Sequence, residues 1–137
     1  MNQLKKAFRL IIFLLVMAAV SNDTVAQKDS ITRVFIIRHA EKADDGSKDP
    51  PLSEQGKNRA AALAKALSKI PVHSIYSTPY RRTRETVGIL SIQSGVPIDT
   101  YKPMDMDTVA ALIGNNKGKN LVFAGHSNTV PFMLNRL

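Results

Sequence analysis

Two histidines in this chain stand where short apolar runs stop. Val34-Phe35-Ile36-Ile37 leads into Arg38-His39-Ala40-Glu41-Lys42, and Asn120-Leu121-Val122-Phe123-Ala124 leads into Gly125-His126-Ser127-Asn128-Thr129. A short apolar run reads as a strand buried on both faces, and in open α/β sheets chemistry collects just past the carboxyl ends of such strands. A third exit, Ser77-Thr78-Pro79-Tyr80, runs into the arginine-rich Arg81-Arg82-Thr83-Arg84. Brought to one sheet edge, Arg38 and Arg82 would supply planar, permanently charged donors for phosphate oxygens. One of His39 and His126 can then attack phosphorus, while the other hydrogen-bonds the transferring group, whose transition-state charge lies on its equatorial oxygens. Such chemistry needs neither a metal nor another cofactor.

Each of these residues also has an ordinary reading. A single histidine after a strand is commonly a satisfied structural group, and Arg82 can be one solvated helix charge among three arginines. Lys42, Asp44 and Asp45 read as charges of a solvated loop. His39, Glu41 and His126 carry donors that suit zinc, but the fixed positive charge of the two arginines would oppose a dication. The Gly125 to Asn128 turn can offer backbone N–H groups to an anion, or Ser127 and Asn128 can simply cap the helix that follows.

The elements that would position these groups follow from periodicity and turn chemistry. Ile31 to Ile37 is the first predicted strand, and the loop from Ala43 to Pro51 is dense in turn residues. Ser53 is placed to cap a helix whose apolar face is Ala61, Leu63, Ala64, Leu67 and Ile70, stopped by Pro71. Ser74 to Ser77 is a second strand, and Pro79 opens a helix through Arg82, Thr86, Ile89 and Leu90 that ends near Gly95. Val96 to Asp99 reads as a short strand, and Asp107 as the cap of a helix containing Val109, Leu112 and Ile113. The turn Gly114 to Gly118 precedes the strand Asn120 to Ala124, and Thr129 to Leu137 reads as helix. Strands alternating with helices predict an α/β fold, a three-layer α/β/α arrangement with a mostly parallel sheet.

Residues 1–26 are set apart from this fold. Lys5, Lys6 and Arg9 precede the apolar run Leu10 to Val20, and small residues Val25-Ala26 precede Gln27, the layout of a secretory signal peptide. The run is too short for a comfortable permanent span, so a periplasmic or secreted protein without stable membrane association after cleavage is expected. Of 137 residues, 27–137 then form one small domain, near the low end of what buries a self-sufficient core. The chain has no cysteine, which excludes disulfides, thiol chemistry and thiolate metal sites. The formal net charge of +8 falls to +6 once the leader's three basic residues and Asp23 are removed. That balance favours anionic ligands, but scattered basic residues and few aromatics offer no stacking platform, so nucleic acid is not the expected partner.

With these motifs in order, the chain resembles the histidine phosphatase superfamily, the phosphoglycerate-mutase-like group. The Arg-His-Gly signature reads Arg38-His39-Ala40 here, the helix opening is Leu52-Ser53-Glu54-Gln55-Gly56, the third motif runs from Tyr76 to Val87 with Arg82 at the phosphate-binding position, and the last is Gly125-His126. The resemblance covers Arg33 to about Leu134. It implies a phosphatase acting on small phosphorylated molecules, either phosphomonoesters or phosphoramidates. It makes His39 the nucleophile that becomes phosphohistidine, with Arg38, Arg82 and His126 holding the phosphoryl group. Arg81 and Arg84 fall outside the motif positions and are expected to be surface charges. Ala40 in place of glycine resembles the small, single-domain phosphohistidine phosphatase branch.

Many members of the family protonate the leaving oxygen with a carboxylate from the region after the second arginine. Asp105 and Asp107 fall there, with Glu41 as another candidate, although a cap role for Asp107 competes, and Asp105 is a looser case of the same reading. Without an acid, good leaving groups would be preferred, and a non-catalytic module binding phosphorylated ligands is the alternative. Relatives usually continue past the second histidine with a helix and a final edge strand. Ending at Leu137, this chain is therefore expected to be a C-terminally truncated domain, or a sheet trimmed by one strand with an open, association-prone edge.

Overall fold

The computed structural model describes residues 31–136, so the expected leader at 1–26 lies outside the described residues. Four strands and four helices alternate: β1 (Arg33–Arg38), α1 (Glu54–Leu67), β2 (Ser74–Ser77), α2 (Arg81–Ser94), β3 (Ile98–Thr100), α3 (Met106–Gly114), β4 (Asn120–Gly125) and α4 (Val130–Arg136). The sheet order is β1-β4-β2-β3 and every pairing is parallel. β4 is therefore central, and its six residues are all buried.

Period-two alternation along the strands divides the core into two layers. Val122 and Ala124 of β4 join Ile75, Ala64, Leu67, Val87 and Leu90 on the face covered by α1 and α2. Leu121 and Phe123 point the other way, into a cluster with Tyr76, Tyr101, Val109 and Met133. Full burial of a side chain such as Ile75 or Phe123 contributes about 1.5–3 kcal/mol each, and both are wholly inaccessible to solvent. At the sheet edge, β1 is only half-buried, and the groove beside it is lined by Phe35, Ile37, Leu63 and Leu134.

Local signals account for most element boundaries. Ser53 is the N-cap of α1, its hydroxyl accepting from Gly56 N at 3.1 Å, a contact worth about 1 kcal/mol in a typical helix. Gly95 ends α2 in the left-handed conformation at φ 70°. Several boundaries differ from expectation: α1 ends at Leu67 rather than Ile70, and α2 begins at Arg81 after Tyr80 rather than at Pro79. β1 begins at Arg33 rather than Ile31, and β3 covers Ile98–Thr100, where it pairs with β2, rather than 96–99. The cap of α3 is Asp105, not Asp107, because Met104 takes a φ of 67° and turns the chain two residues earlier. Asp107 lies in the first turn and pairs with Arg136 at 2.8 Å.

Candidate active site

Parallel pairing aligns the two histidine exits. Arg38 is in register with Gly125, and His39 N continues the ladder by donating to Gly125 O at 2.9 Å. The rings of His39 and His126 then meet edge to face with centroids 5.4 Å apart. The third exit is tied in by Thr78 N donating to Ala124 O. Helix α2 begins directly after it and carries Arg82 to the same cleft, which has two lobes that share His39 and Arg82. Arg38 and Glu41 line one lobe, of about 450 Å³; His126, Tyr80 and Asn128 line the other, of about 370 Å³.

The tautomer of His39 follows from a carbonyl. Its Nδ1 lies 2.7 Å from Ala40 O, and because a carbonyl only accepts, Nδ1 carries the proton and Nε2 keeps its lone pair. Ala40 is itself fixed, fully buried, with its N–H donating to Thr86 Oγ1 at 2.9 Å. Burial lowers the His39 pKa from its ordinary value, the Ala40 contact works against that, and Arg82 and Arg38 lower it further. The ring is thus neutral and nucleophilic near neutrality.

His126 is held differently. Its Nε2 is 3.0 Å from Thr78 Oγ1, which is in turn 2.8 Å from Thr83 Oγ1, so a short chain of buried hydroxyls fixes the ring. Burial first, then Arg82 and His39, bring its pKa down to about 4. At the strand exit below it, Tyr101 OH donates to Ala124 O at 3.2 Å, and burial pushes that phenol up to about 12, keeping it a donor. A Cβ at Gly125 would meet Thr129 Oγ1 at 2.7 Å and Tyr101 OH at 2.9 Å, which explains glycine before this histidine. Thr129 closes the turn that follows the histidine, its Oγ1 accepting from His126 N at 2.8 Å.

Because both histidines have depressed values, their protonation favours the unfolded chain. Between the ordinary 6.5 and the folded value, which for His126 is about 4, unfolded molecules bind more protons, so the stability present above pH 6.5 is lost as pH falls through that window. Thermal melts at pH 7.5, 5.5 and 4.5 should show this decline, and His126→Gln should flatten it. An unchanged decline in the variant would refute the assignment.

Arg82 is the most constrained cation of the cleft. Its side chain is 17% exposed, its guanidinium sits 4.7 Å over the Tyr80 ring, and Asp49 Oδ1 is 3.4 Å from Nη1. Asp49 also accepts from Arg81 N, so it anchors the 43–51 loop to the start of α2. Arg38 lines the same lobe. Arg81 pairs with Glu85 at 2.8 Å and Arg84 donates to Thr100 Oγ1 at 3.1 Å; neither lines the cleft.

With Asp107 paired to Arg136, the other two carboxylate candidates separate. Asp105 is spent on its helix cap, accepting from Thr108 N at 3.1 Å and Thr108 Oγ1 at 2.8 Å, contacts that hold its carboxyl below the usual range. It lines a different depression, with Met104 and Phe132. Glu41 lines the His39 lobe, with Oε2 3.1 Å from Arg59 Nε. That approach has ion-pair distance without hydrogen-bond alignment, so the shielded Oε2 keeps an unused acceptor position.

Sequence reasoning missed Arg59, Asp49, Thr78 and Tyr101. Arg59 Nη2 donates to His39 O and bridges it to Glu41, binding α1 to the first histidine exit. This approach depends on Gly56, where a Cβ would stand 2.1 Å from Glu41 O. Lys42, read as a loop charge, is exposed but lines the His39 lobe. Among the described residues no group of three or more His, Asp or Glu is placed to hold a metal ion.

A parallel α/β/α sheet that delivers two histidines and two arginines to one cleft at its strand exits has the architecture of a phosphoryl-binding α/β protein, here with the phosphoglycerate-mutase-like fold. The profile of the histidine phosphatase superfamily (branch 1) matches residues 34–105, and the chain belongs to that superfamily. Phosphoserine phosphatase 1 of Hydrogenobacter thermophilus is 39% identical over 59 residues, covering 39% of this chain and only 28% of that relative's length. SixA of Agrobacterium tumefaciens, assigned as a phosphohistidine phosphatase, superposes with a TM-score of 0.63 at 25% identity, covering 76% of this chain and 75% of that one. The phosphoserine phosphatase of Entamoeba histolytica, solved with 3-phosphoglyceric acid, shares the fold with a TM-score of 0.62 at 16% identity, over 78% and 81% of the two chains.

Proposed function

We propose that this protein is an exported, metal-independent phosphatase that hydrolyses small phosphomonoesters or phosphoramidates through a phosphohistidine on His39. The observation that carries the reading is the His39 Nδ1 contact with Ala40 O, which leaves Nε2 unprotonated in a cleft shared with Arg82. The Nε2 lone pair attacks phosphorus as the bond to the leaving oxygen or nitrogen breaks, and the leaving atom takes a proton. Water then attacks phosphorus as the phosphorus–nitrogen bond breaks, its proton returning to the Glu41 carboxylate left by the first step, which releases inorganic phosphate and restores the imidazole. Arg38, Arg82 and His126 hold the equatorial oxygens. Glu41 is the proton donor to the leaving atom, since it is the carboxylate that lines the His39 lobe.

Export to the periplasm or cell exterior rests on the basic and apolar layout of residues 1–26. Neither nucleic acid nor a membrane is part of the reading once that leader is removed.

Turnover of para-nitrophenyl phosphate by EDTA-treated protein, with an acid-labile, base-stable phosphoenzyme trapped on quenching, is the expected result. Glu41→Gln should slow alkyl phosphates about 10²-fold or more and the aryl ester much less, because only a poor leaving group needs the proton. Activity restored only by added metal would overturn the proposal. A folded protein that binds vanadate without turnover would be a non-catalytic phospho-ligand module instead.

A further inference from the structure

The two histidines are held by opposite nitrogens. His39 gives its Nδ1 proton to Ala40 O and keeps a lone pair on Nε2, whereas His126 is fixed through Nε2, 3.0 Å from Thr78 Oγ1. The hydroxyls behind that second contact decide which of its atoms carries the proton. Thr83 Oγ1 stands 2.7 Å from Tyr80 O and 3.0 Å from Thr78 O. Both are carbonyl oxygens, which only accept, so the one Thr83 proton is committed to them; turned away, it would leave two bare oxygens facing each other at 2.7 Å. The 2.8 Å contact between the two hydroxyls therefore uses the proton of Thr78. Thr78 Oγ1 is left with a lone pair for His126, and Nε2 is the donor. Both threonines are wholly buried, so bulk water offers no substitute partner.

A neutral ring with its proton on Nε2 has a lone pair on Nδ1. Among the described residues Glu41 Oε2 is the one shielded side-chain polar atom without a partner, so Nδ1, which has no partner there either, is open to the lobe that His126 lines. The Tyr80 ring stands edge to face against the imidazole, with centroids 4.9 Å apart, and opposes the ring turn that would exchange its nitrogens for carbons. The free cleft thus meets an anion with two lone pairs, on rings 5.4 Å apart. The His39 lone pair is needed for attack on phosphorus. The His126 lone pair repels a phosphoryl oxygen unless it takes a proton.

We propose that Thr78 and Thr83 are positioning residues that hold His126 as its Nε2–H tautomer, so that binding of a tetrahedral oxyanion is coupled to uptake of one proton on His126 Nδ1. The proton comes from solvent, or from the substrate itself when that enters as a phosphate monoanion. The imidazolium so formed donates Nε2–H to Thr78 and Nδ1–H to a phosphoryl oxygen, and its added proton leaves again with inorganic phosphate. In the free protein burial, then Arg82 of α2 and His39 at the β1 exit, disfavour the imidazolium, and Asp49 of the 43–51 loop favours it. A bound dianion reverses that balance by setting negative charge against both Arg82 and Nδ1. The proposal rests on the part of the phosphatase reading that places an oxyanion in the cleft, and not on turnover.

The probe is tungstate, a tetrahedral dianion with no proton of its own to lose near neutrality. Calorimetric titrations of the full chain at pH 7.0, in buffers of different ionisation enthalpy, should show about one proton taken up per tungstate bound, and Kd should rise about tenfold between pH 7.0 and 8.0. Thr78→Val removes the acceptor with little change of shape. Its neutral His126 can carry the proton on Nδ1 and donate it to the anion, so proton uptake and pH dependence should fall toward zero while tungstate still binds. Thr78→Ser should restore both. His126→Gln should show no uptake, and His39→Gln should keep it, which separates the two rings. A merely structural loss at Thr78 would weaken binding without changing the number of protons.

No proton uptake by the parent, or unchanged uptake in a folded Thr78→Val, would overturn the proposal. Should that variant not fold, NMR of the imidazole nitrogens in the parent decides. Nε2 protonated and Nδ1 bare in the free protein, with both protonated once tungstate is bound, is the expected result; an Nδ1–H tautomer in the free protein overturns it. A chain that binds no tungstate refutes the oxyanion site and the coupling with it. Proton-coupled tungstate binding without turnover of any phosphate ester would instead remove the phosphatase reading and leave this one standing.

Discussion

Replacing His39 with alanine is expected to lower kcat on the order of 10⁴-fold or more and to abolish the trapped phosphoenzyme, as removal of a nucleophile does elsewhere. The fold should survive this change. What the side chain gives the scaffold is the Nδ1 bond to Ala40 O and an edge contact with the His126 ring, while the backbone of residue 39 keeps its bond to Gly125 O and its acceptor role toward Arg59. Circular dichroism melts near those of the parent, together with retained but weaker vanadate binding through Arg38, Arg82 and His126, would separate lost chemistry from lost structure. A phosphoenzyme still formed by the variant would place the nucleophile elsewhere, with His126 the first residue to test.

The second large effect belongs to Arg82. Its alanine variant should lose about 10²–10³ in kcat/KM, the scale found when one preorganised transition-state donor is removed. Lysine should rescue little, because the cation held 4.7 Å over the Tyr80 ring is a planar guanidinium that can present two parallel donors to a phosphoryl group, which an ammonium cannot. A second readout distinguishes an electrostatic role from a structural one. Burial is the main cause of the depressed His126 value of about 4, and Arg82 is the next, so removing the cation should let the His126 pKa rise toward, but not reach, the ordinary 6.5. Histidine titration by NMR reads this directly. An unmoved His126 in a folded Arg82→Ala would refute the electrostatic coupling.

What was legible in the sequence was what local chemistry determines. Ser53, Gly95 and the apolar runs of β1 and β4 mark their elements by residue type, so the three-layer fold and the convergence of His39 and His126 could be anticipated. The cap of α3 was placed at Asp107 rather than Asp105 because the deciding event is the left-handed turn at Met104, a conformation that a methionine does not advertise. Arg59 and Asp49 were missed for a different reason. They lie on α1 and in the loop before it, remote in sequence from the strand exits, and reach the site only because Gly56 lets the helix close on Glu41 and because the loop folds back on α2. Thr78 and Tyr80 stood within a recognised motif, yet their contacts with His126 exist only across packed elements.

The central place of β4 also carries a consequence for the order of assembly. Arg33 pairs with Asn120, and Ser74 with Leu121, so the last described strand must slot between two segments made much earlier. Pairings so distant along the chain are slow to form, since loop closure must be met before the contacts stabilise it. A molecule in which β1, α1, β2 and α2 have already gathered holds His39 and Arg82, yet lacks the strand that brings His126 to them. It is a latent form, and the return of ligand binding during refolding should lag the recovery of helical signal, keeping time with the arrival of β4.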